Sequence, residues 1–160
     1  MKYVRNLTDI DDKIIALSQQ EGSEAAAVAE RFIAEYHRDL ACLNMVQPDV
    51  EPRVSTHIPE ILDLVGSLID KGLAYAVGGD VYFRVSAFKS YGKLSHRSLD
   101  ELLEGAGSRI EIDERKETPL DFALWKAVKP GEPAWDSPWG PGRPGWQDRK
   151  STRLNSSHRL

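Results

Sequence analysis

Residues 73–85 read LAYAVGGDVYFRV, and this stretch restricts the fold more than any other. Two runs rich in Val, Tyr and Phe flank Gly78-Gly79, a pair suited to a two-residue hairpin turn whose central positions need positive φ. Tyr75, Val77, Val81 and Phe83 are expected to supply much of the hairpin's apolar side. The chain before it has a helical period instead. From Gly22 to Met45, Ala25, Val28, Ala29, Phe32, Tyr36, Leu40 and Leu43 recur at three and four, one face of a long helix. Ile58, Ile61, Leu62, Val65, Leu68 and Ile69 make a second stripe, with Pro59 in its first turn and Lys71-Gly72 as its stop.

Other stretches complete the outline. KYVRNL reads as a short strand and TDIDD as turn and cap residues. QPDVEP, with two prolines, reads as a linker. SLDELLEG is a short helix capped by Ser98, with Glu101 at the capping-box position. GSRIEIDERKETP is polar and expected to be exposed, and LDFALWKAV is an apolar strand or buried segment. KPGEPAWDSPWGPGRPGW carries so much Pro, Gly and Trp that no regular element is expected there. The order points to an α/β layer interrupted by a smaller mixed module.

Composition narrows the function classes only a little. With 41% hydrophobic and 29% charged residues over 160 positions, the chain has the makings of a globular domain with a real core. A formal charge of −4 gives no global argument for a polyanionic partner, although a local basic patch can still serve one. The single Cys42 excludes an internal disulfide and is expected to be buried and inert. No apolar run approaches a membrane span or a signal-peptide core, so the cytoplasm is the default expectation.

Two segments carry candidate chemistry. Thr8, Asp9, Asp11 and Asp12 stand where a strand gives way to a helix, and in open α/β sheets ligands bind beyond the carboxyl ends of strands. The same carboxylates would also cap a helix and meet the positive end of its dipole. Three aspartates without His or Cys would suit only a hard cation, weakly. In WDSPWGPGRPGW, Trp135, Trp139 and Trp146 are large apolar bodies on a proline-stiffened chain. They suit either a packed loop or a pocket wall.

YVRNLTDIDDKII, HIPEI, GGDVYFRV, YGKLSHRSLDELLEGAGSRIEIDERKETPLDFALWK and KPGEPAWDSPWGPGRPGW follow, in order, the pattern of the cysteinyl-tRNA synthetases. The chain resembles that family from Lys2 to Trp146. The resemblance implies a class I aminoacyl-tRNA synthetase that activates cysteine with ATP and passes it to tRNA(Cys). The implied fold is α/β, a Rossmann-like catalytic domain interrupted by a mixed α+β connective-peptide insertion. Residues 1–50 would belong to the catalytic domain, 51–119 to the insertion and 120–147 to the return segment. Residues 148–160 depart from the family and are expected to be a disordered tail. By the same resemblance Thr8 lines the cysteine pocket and Trp146 forms its base, with Asp9, Asp11 and Asp12 as pocket or helix-cap acids. No catalytic residue is assigned.

Family members continue after Gly-Trp with His-Ile-Glu-Cys, whose cysteine binds zinc, where this chain has Gln147-Asp148. The family's His-Ile-Gly-His and Lys-Met-Ser-Lys-Ser motifs are also not among these residues. His37, His57, His96 and His158 are scattered. No four-ligand zinc set can be built from them, and soft sulfur coordination at zinc is how such a site separates cysteine from serine. ATP and zinc are therefore expected of the full-length family and neither is expected to bind this chain tightly. The chain alone is expected to be catalytically incomplete, with its first strand poorly supported for want of parallel neighbours. Two other readings stand beside this one: a fragment of the related ligase that joins cysteine to an amino sugar in mycothiol biosynthesis, and a non-catalytic binding module.

Overall fold

The structure is a computed structural model and describes residues 1–93, 95–106 and 113–145; Leu94, residues 107–112 and residues 146–160, Trp146 and the tail from 148 among them, lie outside the described residues. The chain divides into two compact units, Met1–Ile61 with Lys129–Pro133 and Leu62–Val128 with Ala134–Leu160.

The first unit is built from an extended N-terminal segment and two helices. Asp11, in extended backbone, accepts from the Lys13 N–H at 2.9 Å and starts α1 (Asp12–Glu21). Gly22 ends α1 in left-handed backbone at φ 64°, so the period that begins at Gly22 belongs to a separate helix, α2 (Ala25–Cys42). Ile15 of α1 and Val28, Ala29 and Leu40 of α2 are buried. Each large one contributes about 1.5–3 kcal/mol by leaving water. Cys42 is exposed, contrary to the expectation of a buried thiol, because the last residue of α2 lies off the buried stripe.

KYVRNL forms no regular strand, only two isolated parallel bridges, Val4 with Val50 and Leu7 with Arg53. The Arg5 N–H donates to the Val50 carbonyl at 3.1 Å and the Leu7 N–H to the Pro52 carbonyl at 2.9 Å. QPDVEP is thus not a free linker. Pro52 supplies a carbonyl acceptor while giving up no donor that the pairing needs.

α3 (Ile58–Asp70) leads into the second unit and stops at Gly72, φ 70°. There β1 (Ala74–Val77) and β2 (Asp80–Phe83) form the hairpin, with Gly78 and Gly79 both at positive φ and Val77 opposite Asp80. A 3₁₀ turn, Val85–Ala87, follows. Then comes α4 (Leu99–Ala106), whose capping box is reciprocal: Glu101 N–H to Ser98 Oγ at 3.2 Å and Ser98 N–H to Glu101 Oε2 at 2.8 Å. β3 (Phe122–Ala127) and β4 (Gly142–Pro144) complete a four-stranded antiparallel sheet in the order β1-β2-β3-β4.

Two expectations are corrected here. β2 is central, so it is buried on both faces, and Tyr82 joins Val81 in the core because its hydroxyl finds acceptors. The Pro/Gly/Trp segment does contain a strand. β4 lies at a sheet edge where a proline is tolerated, and Trp135 bridges Gly142 beside it. Gly142 is required there, since a Cβ would collide with the Lys126 carbonyl and the indole of the fully buried Trp125.

Buried carboxylates fasten the loops of this unit. Asp121 is fully buried and accepts from the Val85 N–H (2.9 Å), the Thr118 N–H (3.0 Å), Thr118 Oγ1 (2.9 Å) and the Tyr75 hydroxyl (2.9 Å). Asp80 accepts from the Ala127 N–H at 2.7 Å and pairs with Arg115. The Tyr82 hydroxyl lies 3.0 Å from Asp80 and 2.7 Å from Asp113, and its one proton serves one of them at a time. The Arg115 guanidinium holds the Asp113 carboxyl well below the usual carboxylate range, helped by the Tyr82 bond. Burial, then the bond to Asp121, pushes the Tyr75 hydroxyl up to about 12. Burial and the bonds to Asp113 and Asp80 push Tyr82 higher still.

Asp121→Ala leaves four donors without their acceptor and is expected to cost about 3 kcal/mol or more. Urea unfolding checks this, and a loss within the range of an ordinary surface substitution would refute it. The raised tyrosines predict an alkaline limit. Their protonated forms are favoured in the folded state, so the stabilisation is complete below about pH 10 and Tyr75's share is lost between there and about 12. Tyr75→Phe is expected to make stability fall less steeply across that window, and an unchanged slope would count against the assignment.

Candidate functional site

The paired segments 3–7 and 50–53 run parallel, so their carboxyl ends lie together: Thr8 and Asp9 follow one, Val54 and Ser55 the other. The Asp9 carboxylate, 6% exposed, ties these ends. One oxygen accepts from the Val54 N–H at 2.9 Å and the Ser55 N–H at 3.3 Å, while the other accepts from the Ser55 hydroxyl. Both oxygens are thus engaged by the protein's own donors. Asp11, half-buried, spends an oxygen on the cap of α1, and Asp12 is exposed in its first turn. Thr8 is half-buried. Trp146, the other expected pocket residue, lies outside the described residues, so its relation to Thr8 is not described.

The donors here do not suit a metal ion. Asp9 faces N–H groups and a hydroxyl, which stabilise its charge as a cation would, and Asp11 faces a helix N-terminus. Among the described residues no group of three His, Cys, Asp or Glu is placed to hold a metal. His57 Nδ1 lies 2.9 Å from both Thr56 Oγ1 and the Arg53 carbonyl at the start of α3, and His96 is exposed. His37 is half-buried and meets Glu51 at 2.7 Å.

Sequence reasoning missed Ser55 and the polar group around Glu51. The Arg5 guanidinium stacks over the Tyr36 ring at 4.9 Å. Arg5 Nη1, Tyr36 Oη and Glu51 Oε1 are buried without a hydrogen-bond partner among the described residues. The one signal was Tyr36 and His37 side by side on α2, and it gives no hint of residues 5 and 51.

The match to known proteins covers nearly the whole chain. Residues 1–155 fit the model of the tRNA synthetases class I (C) catalytic domain. The chain belongs to this family. A cysteine–tRNA ligase from Trichormus variabilis is 54% identical over 159 residues, 98% of this chain and 33% of the relative. One from Aquifex aeolicus is 57% identical over 146 residues, 91% of this chain and 29% of the relative. One from Stutzerimonas stutzeri is 59% identical over 145 residues, 90% and 31% respectively. The chain thus spans about a third of the length of these relatives. The matches do not favour the mycothiol ligase. Within the synthetase family, the segment described here comprises helices and a small antiparallel sheet. Among the described residues no helix is long and apolar enough to cross a membrane.

The three aspartates should separate by their structural duties. Asp9→Ala strands two N–H groups and is expected to cost about 2–3 kcal/mol. Asp11→Ala should cost about 1 kcal/mol as a lost cap, and Asp12→Ala, an exposed acid in the first turn, less than Asp9→Ala. Urea melts of the three variants test this order, and equal losses would overturn it.

Proposed function

We propose that this chain is the segment of a cysteine–tRNA ligase that supplies one wall of the amino-acid pocket. The supporting observation is identity of 54–59% with cysteine–tRNA ligases over nine-tenths or more of the chain. In this reading the complete enzyme activates cysteine with ATP and transfers it to tRNA(Cys) in the cytoplasm. Residues 1–50 and 120–147 contribute to a Rossmann-like catalytic domain and residues 51–119 are the connective-peptide insertion. The parallel ends at Thr8 and Ser55 support this, because a loop beyond parallel strand ends is where such sheets bind small ligands.

Thr8 would line the pocket, its hydroxyl accepting from the amino group of cysteine, and Trp146 would close its base. Asp9 does not touch substrate. It positions Thr8 by fixing the two chain ends, and Asp11 and Asp12 set the direction of α1. Zinc, which would grip the substrate thiolate, and ATP would be held by residues other than those described here.

The test replaces the matching segment of a complete cysteine–tRNA ligase with residues 1–145 of this chain. The chimera is expected to charge tRNA(Cys) with cysteine. In it, Thr8→Val should raise KM for cysteine about tenfold or more, the loss of a hydrogen bond to a charged group, with a smaller change in kcat. A soluble chimera that fails to charge, or an unchanged KM, would defeat the corresponding part of the reading.

A further inference from the structure

Arg5 lies in the N-terminal segment and Glu51 in the segment paired with it, where the Arg5 N–H donates to the Val50 carbonyl at 3.1 Å. Tyr36 and His37 reach these two residues from α2. The Arg5 guanidinium lies over the Tyr36 ring, 4.9 Å from its centroid, and the Tyr36 and His37 rings are 5.6 Å apart. His37 Nε2 then meets Glu51 Oε2 at 2.7 Å. These side chains form an unbroken line of contacts from one segment, across the helix, to the other.

Within this group Arg5 Nη1, Tyr36 Oη and Glu51 Oε1 are buried and have no hydrogen-bond partner among the described residues. Arg5 and Glu51 carry opposite charges on adjacent segments, yet among the described residues no ion pair joins them. A buried polar atom without a partner has lost its hydration and gained nothing in return, and the penalty is larger for an ionised group. Several such atoms in one small group call for a common partner.

Their chemistry narrows what that partner is. Arg5 Nη1 only donates, an ionised Glu51 Oε1 only accepts, and Tyr36 Oη does either. The partner must therefore accept and donate at once. The guanidinium disfavours a cation and the carboxylate disfavours an anion, which leaves a neutral molecule. Because these atoms are closed to bulk solvent, it must also be small.

We propose that Arg5 Nη1, Tyr36 Oη and Glu51 Oε1 bind one internal water molecule. Its oxygen accepts from Arg5 and from the Tyr36 hydroxyl, and one of its protons goes to Glu51; about three bonds are usual for a buried water. The water links the Arg5 charge to that of Glu51 and ties α2 to both parallel segments, ahead of the loops at Thr8 and Ser55. This assignment rests on the side chains alone and not on the ligase reading.

Two measurements on the full 160-residue chain test it. Tyr36→Phe keeps the ring beneath Arg5 and deletes only Oη. If Oη binds the water, the variant should melt about 2–4 °C below wild type. If Oη binds nothing, removing a dry hydroxyl should leave Tm unchanged or raise it. Tyr3→Phe, at an exposed tyrosine, should leave Tm unchanged. A lowered Tm would also follow from a direct Tyr36–Glu51 bond, so a crystal structure that shows ordered water decides between the two. It is expected to place one water oxygen within hydrogen-bond distance of Arg5 Nη1, Tyr36 Oη and Glu51 Oε1. Melting of Tyr36→Phe at or above the wild-type temperature overturns the proposal. So does a crystal structure in which these atoms bond one another, or an ion, instead of water.

Discussion

A carboxylate withdrawn from water is costly unless its oxygens find donors, and the donors it finds are then held in place. Asp9 and Asp121 use this in the same way. Asp9 joins the end of the N-terminal segment to the turn at Val54 and Ser55, across 45 and 46 positions of sequence. Asp121 joins the end of the hairpin, at Val85, to the turn at Thr118. In both, backbone N–H groups that no ladder would satisfy are bound by one side chain, so irregular chain can be buried without orphaned donors. Each unit has loops at its strand ends, and these acids make those loops definite.

The sequence was legible wherever structure is set by neighbours. Gly78-Gly79 fixed the hairpin, Ser98 with Glu101 fixed the start of α4, and Gly72 the end of α3, because a turn or cap needs only a few adjacent residues. It was illegible where a distant partner decides. Nothing in GPGRPGW reveals that Gly142 lets a strand pass close to Trp125, or that the proline beside it falls on a sheet edge. Tyr82 reads as an outward residue by alternation, yet acceptors from Asp80 and Asp113 admit its hydroxyl to the core.

The same division runs through the candidate site. TDIDD was readable as cap or as pocket, and both descriptions rest on local chemistry. The cap role of Asp11 is local and follows from its bond to Lys13. The role of Asp9 is long-range: its neighbours in sequence give no sign that Ser55 will meet it. Of three similar residues within four positions, one is consumed by tertiary contact, one by a helix end and one faces solvent. Residue type and spacing alone could not have separated them.

Formal charge is a poor guide to the surface of this protein for a related reason. The total of −4 counts Asp9, Asp80 and Asp121 equally with exposed acids, yet these three are turned inward onto N–H groups, hydroxyls and Arg115. Coulomb interactions between exposed charges fade over about 10 Å in ordinary salt. An incoming ligand therefore responds to the charges near its landing place rather than to the sum. Along residues 88–98 those charges are of one sign, on a loop whose aromatic anchors face the sheet and whose long side chains cannot follow them inside. The packing that buries acids at strand ends and the packing that seats Tyr91 thus have a joint consequence. Both leave the formal total a poor measure of the charge met at any one place on the surface.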